Sequence, residues 1–217
     1  MNLLNLIKKH LLPPNCVICG IKTNEYSLCH DCYQRLPWIK HACYTCSHPI
    51  ETHHLLCGEC ISNLPIYERT ISLFEYENPI ITFIHQLKFH NQLFYAKLLG
   101  ELLSSKIQSE QIALPEIILP VPLHYKRLRE RGFNQALEIA RPIAKKLKLK
   151  IDYKSLIKKH ETKAQALIPA NQRITNLKDS FVIDPKFKAR HVAIIDDVVT
   201  TGQTVSEISK TLLVHGV

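Results

Sequence analysis

The chain's 217 residues can hold one large domain or two small ones, and its net charge of +9 is unevenly shared. Residues 1–66 carry five basic and four acidic side chains, whereas the remainder carries 23 basic and 15 acidic ones, a surplus that suits a binder of phosphates or nucleic acid. Every apolar stretch is interrupted by Pro, Lys or Glu well short of the ~18 residues of a membrane span, and Lys8 and Lys9 follow the first apolar run, the wrong order for a signal peptide.

In chain order, residues 1–12 are expected to form a short amphipathic helix. Four Cys-x2-Cys pairs follow: Cys16 and Cys19, Cys29 and Cys32, Cys43 and Cys46, Cys57 and Cys60. All eight cysteines of the chain lie in these 45 residues, with gaps of nine, ten and ten residues between pairs. Each pair sets two thiolates on one tight turn. Two such turns make a tetrahedral S4 shell for Zn²⁺, so eight ligands imply two structural zincs with no position open to water. A disulfide scaffold is the competing reading, and it needs a secreted context that nothing here supports. Two pairings stay open: sequential cages, or a cross-braced arrangement of first pair with third and second with fourth. His30, His41, His48, His53 and His54 are bystanders on this view, because thiolates already fill both shells. Reduced, metal-binding cysteines without an export signal point to the cytoplasm.

Leu64-Pro65 closes this first domain, residues 1–66. In the second, residues 67–217, residues 67–76 alternate as a strand and Asn78-Pro79 is a turn and helix cap. Helices are predicted over 80–89 and 94–106, and a short strand over 117–123 that Pro120 and Pro122 break. Asn134 caps a helix running to about Leu147, with Pro142 expected to kink it or shift its start. Residues 181–183 and 192–195 are strands, the latter central. Alternating strands and helices with anion sites at strand ends imply an α/β domain with a largely parallel sheet.

Three segments of this domain carry chemistry. Beyond the first strand come His124, Lys126, Arg127, Arg129 and Arg131, a loop that would hold diphosphate through forked Arg donors, touch a DNA backbone, or simply be solvated. His124 is either a general acid/base or a surface histidine. Residues 158–181 are polar and weakly periodic; Thr162, Gln165, Arg173 and Asn176 lie in a stretch long enough for a mobile lid, or for an ordinary helix-loop arm.

The third segment is the most specific. Val192 to Ile195 is a buried strand ending at Asp196 and Asp197; Thr200, Thr201, Gly202, Gln203 and Thr204 form a hydroxyl-rich turn before a helix over 205–213. Backbone N–H groups, hydroxyls and a helix N-terminus suit a phosphate, and Gly202 permits a positive φ and close approach. Phosphate alone would not want two acids beside it, but a sugar diol or Mg²⁺ would. A ligand with both groups is 5-phosphoribosyl-1-diphosphate with Mg²⁺. No Gly-Lys-Ser/Thr follows, which sets a P-loop aside. The pattern resembles the ribose-phosphate signature of type I phosphoribosyltransferases along its full length.

Taken together, the chain resembles the ComF (ComFC-type) competence proteins over nearly its whole length. The matching parts are the four cysteine pairs, Lys88-Phe89 after an amphipathic helix, Leu119-Pro120-Val121-Pro122-Leu123, Arg131-Gly132-Phe133-Asn134-Gln135, Thr162 with Gln165, Arg173 with Asn176, Phe181, and the Asp196–Gly202 signature. The resemblance implies a double zinc ribbon followed by a phosphoribosyltransferase-like domain, with Lys88 joining the diphosphate or DNA-backbone contacts. It also implies a role in natural transformation: handling incoming single-stranded DNA in the cytoplasm, with the DNA-uptake helicase and recombination mediator proteins as partners. Two departures stand out. The family carries an arginine near Lys158-Lys159-His160, and it expects a further strand after His215-Gly216-Val217. The competing functions are an active phosphoribosyltransferase acting on a nucleobase or other nucleophile, and an interaction scaffold built on the zinc ribbons.

Overall fold

The computed structural model describes residues 15–23, 27–51, 54–160 and 179–217. The helix expected over residues 1–12, His53, and the lid residues Thr162, Gln165, Arg173 and Asn176 lie outside them.

The cysteine-rich part is built twice from one unit. A bridge between Asn15 and Lys22 closes the first knuckle, and one between Ala42 and Pro49 closes the second. Inside them the Gly20 N–H donates to the Cys16 carbonyl at 2.8 Å, and that of Ser47 to the Cys43 carbonyl at 2.9 Å. This turn needs a positive φ four residues after the leading cysteine, 74° at Gly20 and 61° at Ser47. Serine is held there by a second contact: its buried Oγ accepts the Ser72 N–H at 2.9 Å. The trailing pairs open single helical turns, α1 (His30–Gln34) after Cys29 and α2 (Gly58–Ser62) after Cys57.

Residues 67–76 do not form the predicted strand, because their backbone groups pair with the zinc unit and not with a sheet. Ile39 N–H donates to the Leu73 carbonyl at 3.0 Å, and Glu75 N–H to the Pro37 carbonyl at 2.9 Å. Between these bonds Trp38 and Phe74 form an isolated bridge, their rings 4.5 Å apart. Packing is therefore continuous across residue 66: Cys16, Leu28 and Leu36 share one buried cluster with Leu73, Phe83 and Leu99.

The α/β part runs α3 (Ile80–His90), α4 (Phe94–Ser109), β1 (Ile117–Pro120), α5 (Tyr125–Arg131), α6 (Gln135–Leu147), β2 (Lys150–Ile151), β3 (Leu156–Lys158), β4 (Phe181–Ile183), β5 (Val192–Ile195) and α7 (Gln203–Val214). Pro79, not Asn78, occupies the cap position of α3, and the Asn78 carboxamide accepts from the Thr82 hydroxyl at 3.1 Å. Asn134 caps α6 as its sequence predicts, accepting from the N–H groups of Ala136 and Leu137 at 2.9 and 3.4 Å.

β2, β1 and β5 form a parallel sheet in that order, with Ile117 opposite both Lys150 and Val192. Successive residues of β1 point to opposite faces. Ile118 enters the cluster with α3, α4 and α6, while Leu119 enters a second cluster with Phe181, Phe187, Ile208 and Leu212. Both faces are covered, as parallel sheets require. Pro142 sits inside an unbroken α6, and its ring meets Gly100 of α4 so closely that a Cβ on Gly100 would lie 2.5 Å from Pro142 Cγ and from the Ile139 carbonyl oxygen. β3 and β4 pair antiparallel, Lys158 opposite Phe181.

Candidate functional site

The eight thiols form two groups in sequential order, Cys16/Cys19/Cys29/Cys32 and Cys43/Cys46/Cys57/Cys60, with the ligand atoms of each within 4.8 Å of one another. The cross-braced pairing is thereby set aside, and none of the described histidines joins either group. The electrostatics of each cage call for a cation. Burial alone pushes the Cys16 thiol up, but the N–H groups of Cys19, Cys29 and Ile18 bring it down to about 6. Burial and the neighbouring Cys29, Cys19 and Cys16 push Cys32 up to about 12. Cys43 and Cys60 repeat this contrast, Cys43 at about 6 and Cys60 pushed up by burial and its three cage partners. Four thiolates so close repel one another, and a tetrahedral Zn²⁺ removes that repulsion.

At the other end of the chain, β5 stops where the Val121 N–H takes the Ile195 carbonyl at 2.9 Å, and the two acids follow. The Asp197 N–H donates to Asp196 Oδ1 at 2.8 Å. Asp197 is nearly buried and ion-paired with Lys88 from the last turn of α3. Gln135, at the start of α6, donates its Nε2 to Asp197 Oδ1 at 3.4 Å and accepts from Arg131 Nη1. Loss of hydration pushes the Asp196 carboxyl well above the usual carboxylate range, the Asp197 charge adds to this, and Lys88 opposes it. Burial lowers Arg131, which Asp197 counteracts and Arg127 reinforces. Burial, then Arg127, brings Lys158 down to about 8 against the pull of Asp196.

The structure therefore sorts the predicted cations. Lys88 pairs with Asp197 and Arg131 feels the Asp197 charge, Arg127 lies near Arg131 and Lys158, and Lys126 and Arg129 lie on the exposed side of α5. Their segment is a helix of seven residues, not a loop. His124 is not a surface histidine: it is buried, its ring lies 4.4 Å from that of Tyr125, and its Nδ1 has no hydrogen-bond partner among the described residues.

Thr200 and Thr201 are exposed in the turn after the acids, and Gly202, at φ 69°, caps α7. Gln203 and Thr204 begin that helix, half-buried. Two adjacent carboxylates beside a hydroxyl-rich turn at a helix start are a donor set that would suit Mg²⁺ and a phosphorylated sugar. Gln135 and Lys158 were not singled out as site residues by sequence. Gln135 had a signal, standing four residues after Arg131 at a helix start.

Tyr67 had none. Its hydroxyl lies 2.9 Å from where a Cβ on Gly202 would be, so the end of the zinc unit rests on the hydroxyl-rich turn. The two parts enclose a cleft of about 980 Å³, with Cys46, His48 and Asn63 on one side and residues 196–202 on the other.

A family described as "Double zinc ribbon domain" matches residues 7–61. The DNA utilization protein YhgH of Escherichia coli (strain K12) is 32% identical over 211 residues, 94% of this chain and 93% of that protein. Competence protein F of Haemophilus influenzae is 31% identical over 93% of this chain and 92% of its own length. Competence protein ComFC of Bacillus subtilis is 23% identical over 90% and 81%. Among the described residues no helix is long and apolar enough to cross a membrane.

Proposed function

The chain belongs to the family of competence protein F and the DNA utilization protein YhgH, and from that premise we propose that it handles single-stranded DNA in the cytoplasm and carries a 5-phosphoribosyl-1-diphosphate site of the type I phosphoribosyltransferase kind. One observation carries the second half: an acid pair and a hydroxyl-rich turn at the end of a parallel strand, with Lys88 and Arg131 from two other helices converging on it. Asp196 and Asp197 accept the ribose hydroxyls, directly or through Mg²⁺. Thr200, Thr201, Gly202, Gln203 and Thr204 take the 5′-phosphate. Lys88, Arg127 and Arg131 face the diphosphate, and Mg²⁺ when bound adds positive charge against it. Lys126 and Arg129, on the exposed face of α5, meet a DNA backbone, with the uptake helicase and recombination mediators delivering and receiving the strand.

Calorimetry with phosphoribosyl diphosphate and Mg²⁺ tests the site, and the expected result is saturable binding that Asp197→Asn abolishes. Fluorescence anisotropy with a short single strand tests the DNA role. Binding at ~50 mM salt should fall steeply as salt rises, and Lys126→Ala with Arg129→Ala should flatten that slope by roughly two counterions. No binding at low salt ends the DNA half.

A second reading, transfer of the phosphoribosyl group to a nucleophile, is favoured by the same convergence of cations. In that reaction the bond from C1 to diphosphate breaks, a bond from C1 to the acceptor forms, and the acceptor's proton leaves. Diphosphate release in the presence of candidate nucleobases decides it.

A further inference from the structure

We infer that the second four-cysteine unit completes the ligand site, its His48, Asn63 and Tyr67 receiving a planar nitrogen heterocycle joined to the sugar phosphate. This rests on the phosphoribosyl reading of residues 196–204. Among its described residues, the sheet half alone offers a strand end, an acid pair and a hydroxyl-rich turn, and no apolar surface beside them with hydrogen-bonding groups at its rim. The opposite wall of the cleft belongs to the second knuckle and the residues just after it.

Three features of that cleft select the ligand class. Its volume, about 980 Å³, is at the upper end for a small-molecule site, more than a sugar phosphate fills. Its lining includes apolar side chains with accessible surface, among them Pro65, Ile71 and Val199, suited to the face of a ring. Its zinc-side edge is polar: His48 follows the Ser47 turn, and Asn63 is steadied by its own bond to Glu59 Oε1 at 3.1 Å. Apolar surface with a few hydrogen-bonding groups at the rim is the environment of an aromatic heterocycle. Tyr67 fixes the distance between the walls. Its hydroxyl rests against Gly202, and it lines the cleft together with Cys46 and Cys60 of the second cage. The first cage has no residue in this lining. A phosphate held at residues 200–202 leaves the space beyond the sugar facing the knuckle, whether the ring there is a free base or part of a nucleotide.

The test is calorimetry on the full zinc-loaded chain with Mg²⁺, titrating ribose 5-phosphate, each nucleoside 5′-monophosphate, and the free bases. At least one monophosphate is expected to bind about tenfold tighter than ribose 5-phosphate. His48→Ala or Asn63→Ala should cut that advantage by about threefold or more, the loss of one hydrogen bond, while leaving ribose 5-phosphate affinity and zinc content as they were. Binding of a free base only after phosphoribosyl diphosphate would mark it as an acceptor; tight monophosphate binding alone would mark a nucleotide. Monophosphates that bind no better than ribose 5-phosphate, or an advantage that survives both substitutions, would overturn the inference and leave the phosphate site standing. Failure of wild type to bind ribose 5-phosphate and phosphoribosyl diphosphate alike would remove the phosphate site itself, and this inference with it.

Discussion

Lys88, in the last turn of α3, is ion-paired with Asp197, the second acid beyond β5. The contact ties a helix of the apolar core to the mouth of the site. It also sets the charge there, since Asp197 is 6% exposed and Lys88 only 23%.

Breaking one half of a buried pair strands a charge, at a cost of about 3–5 kcal/mol, whereas replacing both partners is nearer neutral. Lys88→Met should therefore destabilise the protein by about 3 kcal/mol in urea unfolding. The double variant Lys88→Met/Asp197→Asn should recover most of that loss while failing to bind phosphoribosyl diphosphate. Stability that does not recover in the double variant would mean the lysine acts through packing.

How much of this was legible in the sequence depends on the range of the interaction. The acid pair, Gly202 and the cysteine pairs are local patterns written within a few consecutive residues: the cysteines group in sequence order, the acids follow β5 directly, and Gly202 caps α7. The alternation over residues 67–76 is equally local, yet its backbone partners are Pro37 and Ile39, which no periodicity announces. Residues 125–131 looked like a loop because charge dominates them, but Gly132, at φ 80°, closes a helical turn. The meeting of Tyr67 with Gly202 joins segments from two parts of the chain and has no sequence signal at all.

Trp38 is the chain's one tryptophan and stands at the seam between the two parts. Its ring lies 5.0 Å from Tyr33 and 4.5 Å from Phe74, and its Nε1–H donates to the Tyr33 carbonyl at 2.9 Å. Tyr33 follows Cys32 directly, so the first cage holds this contact. Structural Zn²⁺ supplies roughly 10–16 kcal/mol of apparent folding free energy. A strong chelator should release about two zincs per chain, as two closed S4 shells require, and shift Trp38 emission to the red in step with the first release. Unchanged emission after full zinc loss would show that the seam stands without the metal.

Gly202 faces two separate obstacles to substitution. Its φ of 69° is a left-handed conformation that costs an L-residue about 1–2 kcal/mol, and a Cβ would press on the Tyr67 hydroxyl at 2.9 Å. Gly202→Ala should weaken phosphoribosyl diphosphate binding about tenfold or more, since 1.4 kcal/mol is a factor of ten. Adding Tyr67→Phe removes the hydroxyl but not the backbone strain, so it should restore part of the affinity, read by calorimetry. Full restoration would assign the whole effect to the clash.

Lys158 belongs to the Lys158-Lys159-His160 stretch near which the resemblance expects an arginine, and the difference has a pH signature. Its ammonium lies 5.5 Å from the Phe181 ring centre, and burial followed by the Arg127 charge brings it down to about 8. In the unfolded chain a lysine titrates near ~10.4. Between these values the unfolded chain keeps a proton that the folded chain has lost, so this residue's contribution makes stability rise with pH across that window and leaves it flat below. Urea unfolding of wild type against Lys158→Met should show the difference changing from about pH 8 upward. Binding runs the other way: above about pH 8 the site loses a cation, so affinity for a polyphosphate should fall in wild type and hold in Lys158→Arg, whose guanidinium stays charged. Parallel pH profiles for the two proteins would show that Lys158 does not face the anion.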